Sequence, residues 1–330
     1  MRNHLFLGIA VTLAAAVGPA TAERPAPVPP LGPRPAPPPT PGLVPLPAPL
    51  PPVEPAPGAA PGAAAALPGA AITDDGLGRS GTIFGFDAAN LVTFTFDDGP
   101  HEPTTTKVLA ALAAHDVPAT FFVVGKRLAG RSSERRRQLL VEIDRAGHAI
   151  GNHSWSHPAL TALSEKARER EIDATQRIVE EILGRSPTTL RPPFGATSPK
   201  VAALLARRGL TEVIWSIDTK DYLTPDAARL RKAVVARIAA RGGGIVLFHD
   251  TKKATATALP GILADLEALN CARLGRGEEP ILPVSLHYFV RDGAAPRPVP
   301  PEVAARTARY RAALVERCTQ RGPAPGEDGR

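Results

Sequence analysis

From about residue 80 onward, short apolar runs alternate with longer amphipathic stretches. The runs LVTFTF at 91–96, ATFFVV at 119–124, HAIGNH at 148–153, TTLRPPF at 188–194, EVIWSID at 212–218, GIVLFHD at 244–250 and ILPVSL at 281–286 predict strands. Several are apolar on both faces, which is the pattern of parallel strands covered by helices. The intervening stretches predict helices at about 103–115, 133–146, 164–183, 198–208, 225–241 and 256–270. Ser198-Pro199 and Thr224-Pro225 read as N-cap and first-turn pairs, and Gly147, Gly184, Gly209 and Gly242 fall where helix-terminating glycines belong.

Seven strands separated by six helices imply parallel pairing through crossovers, because parallel neighbours cannot be joined by a tight hairpin. A closed or nearly closed (β/α) barrel fits this α/β pattern better than an open sheet. The polar clusters Asp97-Asp98, His153, Arg191, Asp218 and His249 all fall at C-terminal ends of predicted strands. In such barrels that rim is where active sites assemble. Residues 301–320 predict one more helix, packed on the outside.

The first 80 residues have a different texture. Arg2, the apolar LFLGIAVTLAAAV and the small residues Ala20-Thr21-Ala22 read as a signal peptide spanning 1–22, cleaved after Ala22. Half of the 38 prolines lie between residues 23 and 68, among Ala and Gly. A segment of that composition buries no core, so 23–80 is expected to be a disordered, partly polyproline II tether. The expected organisation is then a catalytic domain over 81–290 and a C-terminal extension over 291–330 with one helix and a disordered end. Export points to a secreted, periplasmic or cell-envelope location, with no membrane span left after cleavage.

The chain has 330 residues and a formal net charge of +7. The charge is spread along the chain, with its densest run at RSSERRRQ, and no nucleic-acid motif accompanies it. Only two cysteines are present, Cys271 and Cys318, too few for a zinc-ribbon framework. They either remain thiols or bridge the C-terminal tail to the main domain.

Two adjacent carboxylates at a strand end repel each other, and a cation relieves that repulsion. HSWSH supplies His153 and His157, and Asp98 completes a His, His, carboxylate set, a donor set of catalytic zinc sites. Zinc is the expected metal, with cobalt or nickel compatible. The second carboxylate, Asp97, is then placed to take a proton from water acidified by the metal, whose pKa falls from about 15.7 toward 7.

TFDDGP, HSWSH, RPPFG, WSIDTKDY and LFHD together resemble, in order and context, the polysaccharide deacetylases, also called the NodB-homology group or carbohydrate esterase family 4. The resemblance covers roughly residues 88–290. It implies a distorted (β/α)7 barrel and metal-dependent removal of N-acetyl groups from polymeric amino sugars. It implies Asp97 as general base, Arg191 as its orienting partner, and Asp98, His153 and His157 as metal ligands. His249 corresponds to the general acid and Asp218 to the carboxylate that tunes it. Phe194, with Pro193, would contribute to substrate binding, the Phe194 backbone N–H serving as oxyanion donor. Leu247 would line the acetyl-methyl pocket. Tyr222 stands where the family more often has Trp in the groove wall, and Phe194 where it more often has Tyr.

The expected function is an exported, monomeric N-deacetylase of a GlcNAc- or MurNAc-containing polymer. Peptidoglycan comes first, chitin-like oligomers or an exopolysaccharide second. An acetyl-xylan-type O-acetyl esterase using the same residues, and a catalytically inactive glycan-binding barrel, are the rivals.

Overall fold

A computed structural model describes residues 75–86 and 89–320. The strands are β1 (Thr82–Ile83), β2 (Leu91–Asp97), β3 (Ala119–Val123), β4 (Ala149–Asn152), β5 (Thr189–Leu190), β6 (Thr211–Val213), β7 (Ile217–Asp218), β8 (Gly244–His249), β9 (Leu282–Pro283), β10 (Arg291–Asp292) and β11 (Ala295–Pro296). The helices are α1 (Thr104–Ala114), α2 (Glu134–Arg145), α3 (Glu165–Leu183), α4 (Pro199–Arg207), α5 (Ala227–Arg241), α6 (Lys253–Gly275) and α7 (Pro301–Gln320). All six predicted inter-strand helices and the helix at 301–320 are present.

The strands pair in parallel in the order β6-β5-β4-β3-β2-β8-β7, and β9 joins the base of β2. The predicted strand at 212–218 is split in two. Its first half, β6, pairs with β5, and its second half, β7, pairs with β8. One continuous segment thus pairs near both ends of the sheet, bending at 214–216 to do so, and β1 adds one further strand beyond β6. The fold is the distorted α/β barrel that the sequence implies. The distortion has local causes. β5 stops at Leu190 because Pro192 and Pro193 lack the N–H groups that a longer strand would need. β9 is similarly short and ends at Pro283.

Alternation along β2 sorts its side chains. Phe94 and Phe96 stack with Phe248 at centroid distances of 6.0 and 5.5 Å, and Phe96 stacks with Phe121 at 5.1 Å. Thr93, Thr95 and Asp97 face the other way, and all three are buried. Arg191, from the far end of β5, reaches Thr95 and Asp97, so this second face is the barrel interior. On β2 the inward face is therefore polar, while Phe94 and Phe96 pack in an aromatic layer on its outer face.

Residues 75–80, assigned from composition to the tether, are packed into the domain. Leu77 is fully buried, the Arg79 N–H donates to the Gly209 carbonyl, and the Ser80 N–H donates to Thr211 Oγ1. The adjoining β1, which was not predicted, pairs with β6. The predicted signal peptide, residues 23–74 of the tether and 321–330 of the C-terminal end lie outside the described residues. A disulfide between Cys271 and Cys318 fastens α7 to α6, beside an Arg317–Glu267 ion pair at 3.0 Å. Among the described residues no helix is long and apolar enough to cross a membrane.

Candidate active site

The site forms where β2, β4, β5 and β8 end. Asp97 is the last residue of β2 and is almost wholly enclosed. Arg191 Nη1 donates to Asp97 Oδ1 at 2.7 Å and to Thr95 Oγ1 at 2.7 Å, while Nε donates to the Val213 carbonyl at 3.1 Å. The guanidinium also lies over the Phe122 ring, 4.2 Å from its centroid. This fully buried arginine is held by strands on opposite sides of the barrel, so its position and that of Asp97 are fixed together. Burial pushes the Asp97 carboxyl above its ordinary pKa, and the Arg191 charge opposes the rise without cancelling it. A raised pKa makes the carboxylate a stronger base.

Asp98 follows in the left-handed region, with φ at 75°, a conformation Asp tolerates better than most residues. Its side chain faces the two histidines. His153 Nδ1 lies 2.7 Å from the Arg191 carbonyl. A carbonyl only accepts, so Nδ1 carries the proton and Nε2 keeps a free lone pair. Burial, with His157 adding to it, lowers the His153 pKa to about 3, so the ring is neutral. His153 Nε2 is 3.7 Å from Asp98 Oδ1, and His157 Nε2 is 3.3 Å from the same oxygen.

HSWSH is a loop, not a helical turn. Pro158 disfavours the right-handed helical conformation at His157, which adopts φ 64°. The loop is held from within: the Ser154 N–H donates to Asn152 Oδ1 at 2.7 Å, and the His157 N–H donates to Ser154 Oγ at 3.0 Å. Ligand atoms of Asp98, His153 and His157 all lie within 4.8 Å of one another. One neutral imidazole with a free Nε2, a second imidazole and a carboxylate fit a divalent cation of zinc type.

His249 ends β8. Its ring Nδ1 lies 2.7 Å from Asp221 Oδ1, and its backbone N–H donates to Asp221 Oδ2 at 2.7 Å. Thr255 Oγ1 also donates to Asp221 Oδ2, at 2.6 Å. Burial favours the neutral ring, but the hydrogen bond and charge of Asp221 outweigh it, aided by Asp97 and Asp98, and the pKa rises to about 8. The carboxylate that tunes His249 is therefore Asp221 and not Asp218, the residue expected from the sequence. Asp218 is occupied elsewhere: Oδ1 accepts from the Lys220 N–H at 2.9 Å and Oδ2 from the Tyr222 hydroxyl at 3.1 Å. In DTKDY the signal is the second aspartate, directly before the aromatic residue.

The remaining expected residues lie around these groups. Tyr222 sets its ring edge-on to His249, with centroids 5.6 Å apart, and is half exposed. Phe194 takes a left-handed backbone, φ 62°, which projects its ring onto the surface against His157 at 4.7 Å. Pro193 and Leu247 are buried, Leu247 two residues before His249 on the same face of β8. Outside the site, His148 is a core residue that accepts the Ala119 N–H at 3.2 Å, its pKa lowered by burial to about 3.

A parallel barrel with this constellation on its rim is the architecture of one class of protein, and the chain belongs to the polysaccharide deacetylase family. The family model matches residues 87–213. The chain is 38% identical over 173 residues to a chitooligosaccharide deacetylase of Sinorhizobium fredii, covering 52% of this chain and 75% of that protein. It is 40% identical over 177 residues to the peptidoglycan-N-acetylglucosamine deacetylase PgdA of Listeria monocytogenes, covering 54% of this chain. It spans only 36% of the length of that relative. Among solved structures, the Bc1960 peptidoglycan N-acetylglucosamine deacetylase superposes with a TM-score of 0.52 at 28% identity, covering 60% of this chain and 88% of that one.

Proposed function

We propose that this protein is a metal-dependent N-deacetylase of a cell-envelope polysaccharide, with peptidoglycan as the first candidate substrate and chitin-like oligomers or an exopolysaccharide as the second. One observation carries the reading. A three-donor cation site, Asp98, His153 and His157, adjoins an arginine-held carboxylate, Asp97, whose register partner on the next strand is a carboxylate-held imidazole, His249.

Asp98, His153 and His157 would hold the cation, and zinc suits the two-imidazole, one-carboxylate set best, with cobalt or nickel compatible. When bound, the ion supplies Lewis acidity, lowering the pKa of water and polarising a carbonyl. The chain's own groups do the rest. Asp97, held by Arg191 and 3.6 Å from His153 Nε2, accepts the proton of the attacking water on Oδ2. Amide cleavage also requires a proton on the departing nitrogen, because an amide anion is a prohibitive leaving group. His249, protonated up to about pH 8, supplies it. The Phe194 backbone N–H is assigned to the developing oxyanion, where one donor is typically worth about 3 kcal/mol. Leu247 and Pro193 shape the acetyl end of the site, while the exposed rings of Phe194 and Tyr222 offer stacking surfaces to sugar.

An exported enzyme with a signal peptide over 1–22 and a proline-rich tether suits a cell-envelope substrate, and the relatives named for peptidoglycan and chitooligosaccharides support the substrate class. The test is acetate release by the zinc-loaded protein from purified peptidoglycan, chitin oligomers and acetylated xylan in parallel. Release from an N-acetyl polymer is expected. Release from O-acetyl xylan alone would make the protein an esterase, and no release from any would favour an inactive glycan-binding barrel.

A further inference from the structure

Asp250 is a fully buried carboxylate that the mechanism above leaves unused. It directly follows His249 yet points into the turn after Asp98. Thr105 Oγ1 donates to Asp250 Oδ2 at 2.5 Å, and the same Thr105 Oγ1 accepts the His101 N–H at 2.8 Å. The Thr105 N–H in turn donates to the His101 carbonyl at 2.8 Å, and the Val124 N–H donates to the Gly99 carbonyl at 3.1 Å. The turn 99–101 is thereby closed on the start of α1, docked on the end of β3, and backed by Asp250. The contact leaves no room at Gly99, where an added Cβ would fall inside the Asp250 carboxylate. Asp98 immediately precedes that glycine and needs a left-handed backbone to aim its oxygen at His153 and His157.

We infer that Asp250, through Thr105, is a positioning residue that locks the loop bearing Asp97 and Asp98 to the strand end bearing His249. This rests on the metal-site reading given above. The physical logic is that of partners behind metal ligands: they fix the direction of a ligand they do not replace, and their loss typically costs about 10–100-fold in metal affinity. A carboxylate is suited to this place because its Oδ2 accepts from the threonine hydroxyl while its planar end packs against the glycine Cα. An amide oxygen makes the same contact, and a methyl group does not.

The experiment titrates cobalt(II) alone into the full chain and reads both affinity and the visible spectrum of the bound ion, with circular dichroism as the check on folding. Asp250→Ala is expected to lose at least about tenfold in cobalt affinity and to change the spectrum, and Asp250→Asn to restore both. Thr105→Val provides the second route should Asp250→Ala not fold; it is expected to weaken cobalt binding similarly, and Thr105→Ser to retain it. Folded Asp250→Ala or Thr105→Val with wild-type affinity and spectrum would overturn the inference. So would an equal loss in Asp250→Ala and Asp250→Asn. A wild-type chain that binds no cobalt would instead overturn the metal-site reading, which keeps the two failures distinct.

Discussion

Asp97 and His249 are register partners at the ends of the adjacent parallel strands β2 and β8. Both are terminal residues of their strands and both face the barrel interior. The proposed proton acceptor and proton donor thus stand on neighbouring staves about 4.8 Å apart at the backbone, the spacing of hydrogen-bonded strands. Each is held by a different buried partner, Asp97 by Arg191 and His249 by Asp221. That difference makes the two roles separable by mutation.

The acid limb of the pair is tested by pH. In the proposed mechanism His249 acts in its protonated form, so activity should fall as pH rises through about 8, its raised pKa. Asp221→Asn removes the largest stabilising influence on the charged ring, and the alkaline limb of the kcat profile should move to lower pH by about one unit or more. Asp218→Asn should leave that limb in place. A pH–rate profile of the three proteins checks the assignment.

Removing the Arg191 guanidinium leaves a buried carboxylate unpaired. Arg191→Ala should lose roughly 3–5 kcal/mol of stability, because breaking one side of a buried ion pair strands the other charge. Urea unfolding followed by circular dichroism measures it. Activity should fall as well, since Asp97 loses its orientation along with its partner.

Base and ligand should also separate. Asp97→Asn should keep the metal but lose about 10²–10⁴-fold in kcat, the usual worth of a general base. His153→Ala should lose both metal and activity. Metal content by elemental analysis alongside acetate release distinguishes the two variants.

Much of this was legible in the sequence because parallel strands and their rim residues leave short, dense signatures. Asp97, Asp98, His153, Arg191 and His249 each sit at a strand end, where apolar patterning stops and chemistry begins, and His157 follows in the loop after β4. What the sequence left hidden depended on three-dimensional closure. The split of 212–218 into β6 and β7 is imposed by the need to pair with both β5 and β8, which no local pattern records. The choice between Asp218 and Asp221 turned on which way a loop bends: three residues apart, one carboxylate reaches the His249 ring and the other caps a turn at Lys220. Residues 75–80 fall in the expected tether because the alternating apolar pattern begins only near residue 80, whereas a single buried leucine, Leu77, and backbone hydrogen bonds anchor them to the domain.

The disulfide offers a stability test independent of the site. Cys271 and Cys318 are 47 residues apart, and constraining a loop of that length is worth on the order of 4 kcal/mol in the unfolded chain. Cys271→Ser with Cys318→Ser should lower Tm by several degrees while kcat at 25 °C is retained. Calorimetry and the acetate assay on the same preparation check both halves of that expectation.

Anomalous diffraction from zinc-soaked crystals tests the central claim most directly. A single strong peak coordinated by Asp98, His153 Nε2 and His157 Nε2, at about 2.0–2.2 Å from each, is the predicted result. A fully loaded crystal whose zinc sits elsewhere, with these three side chains still uncoordinated, would contradict it.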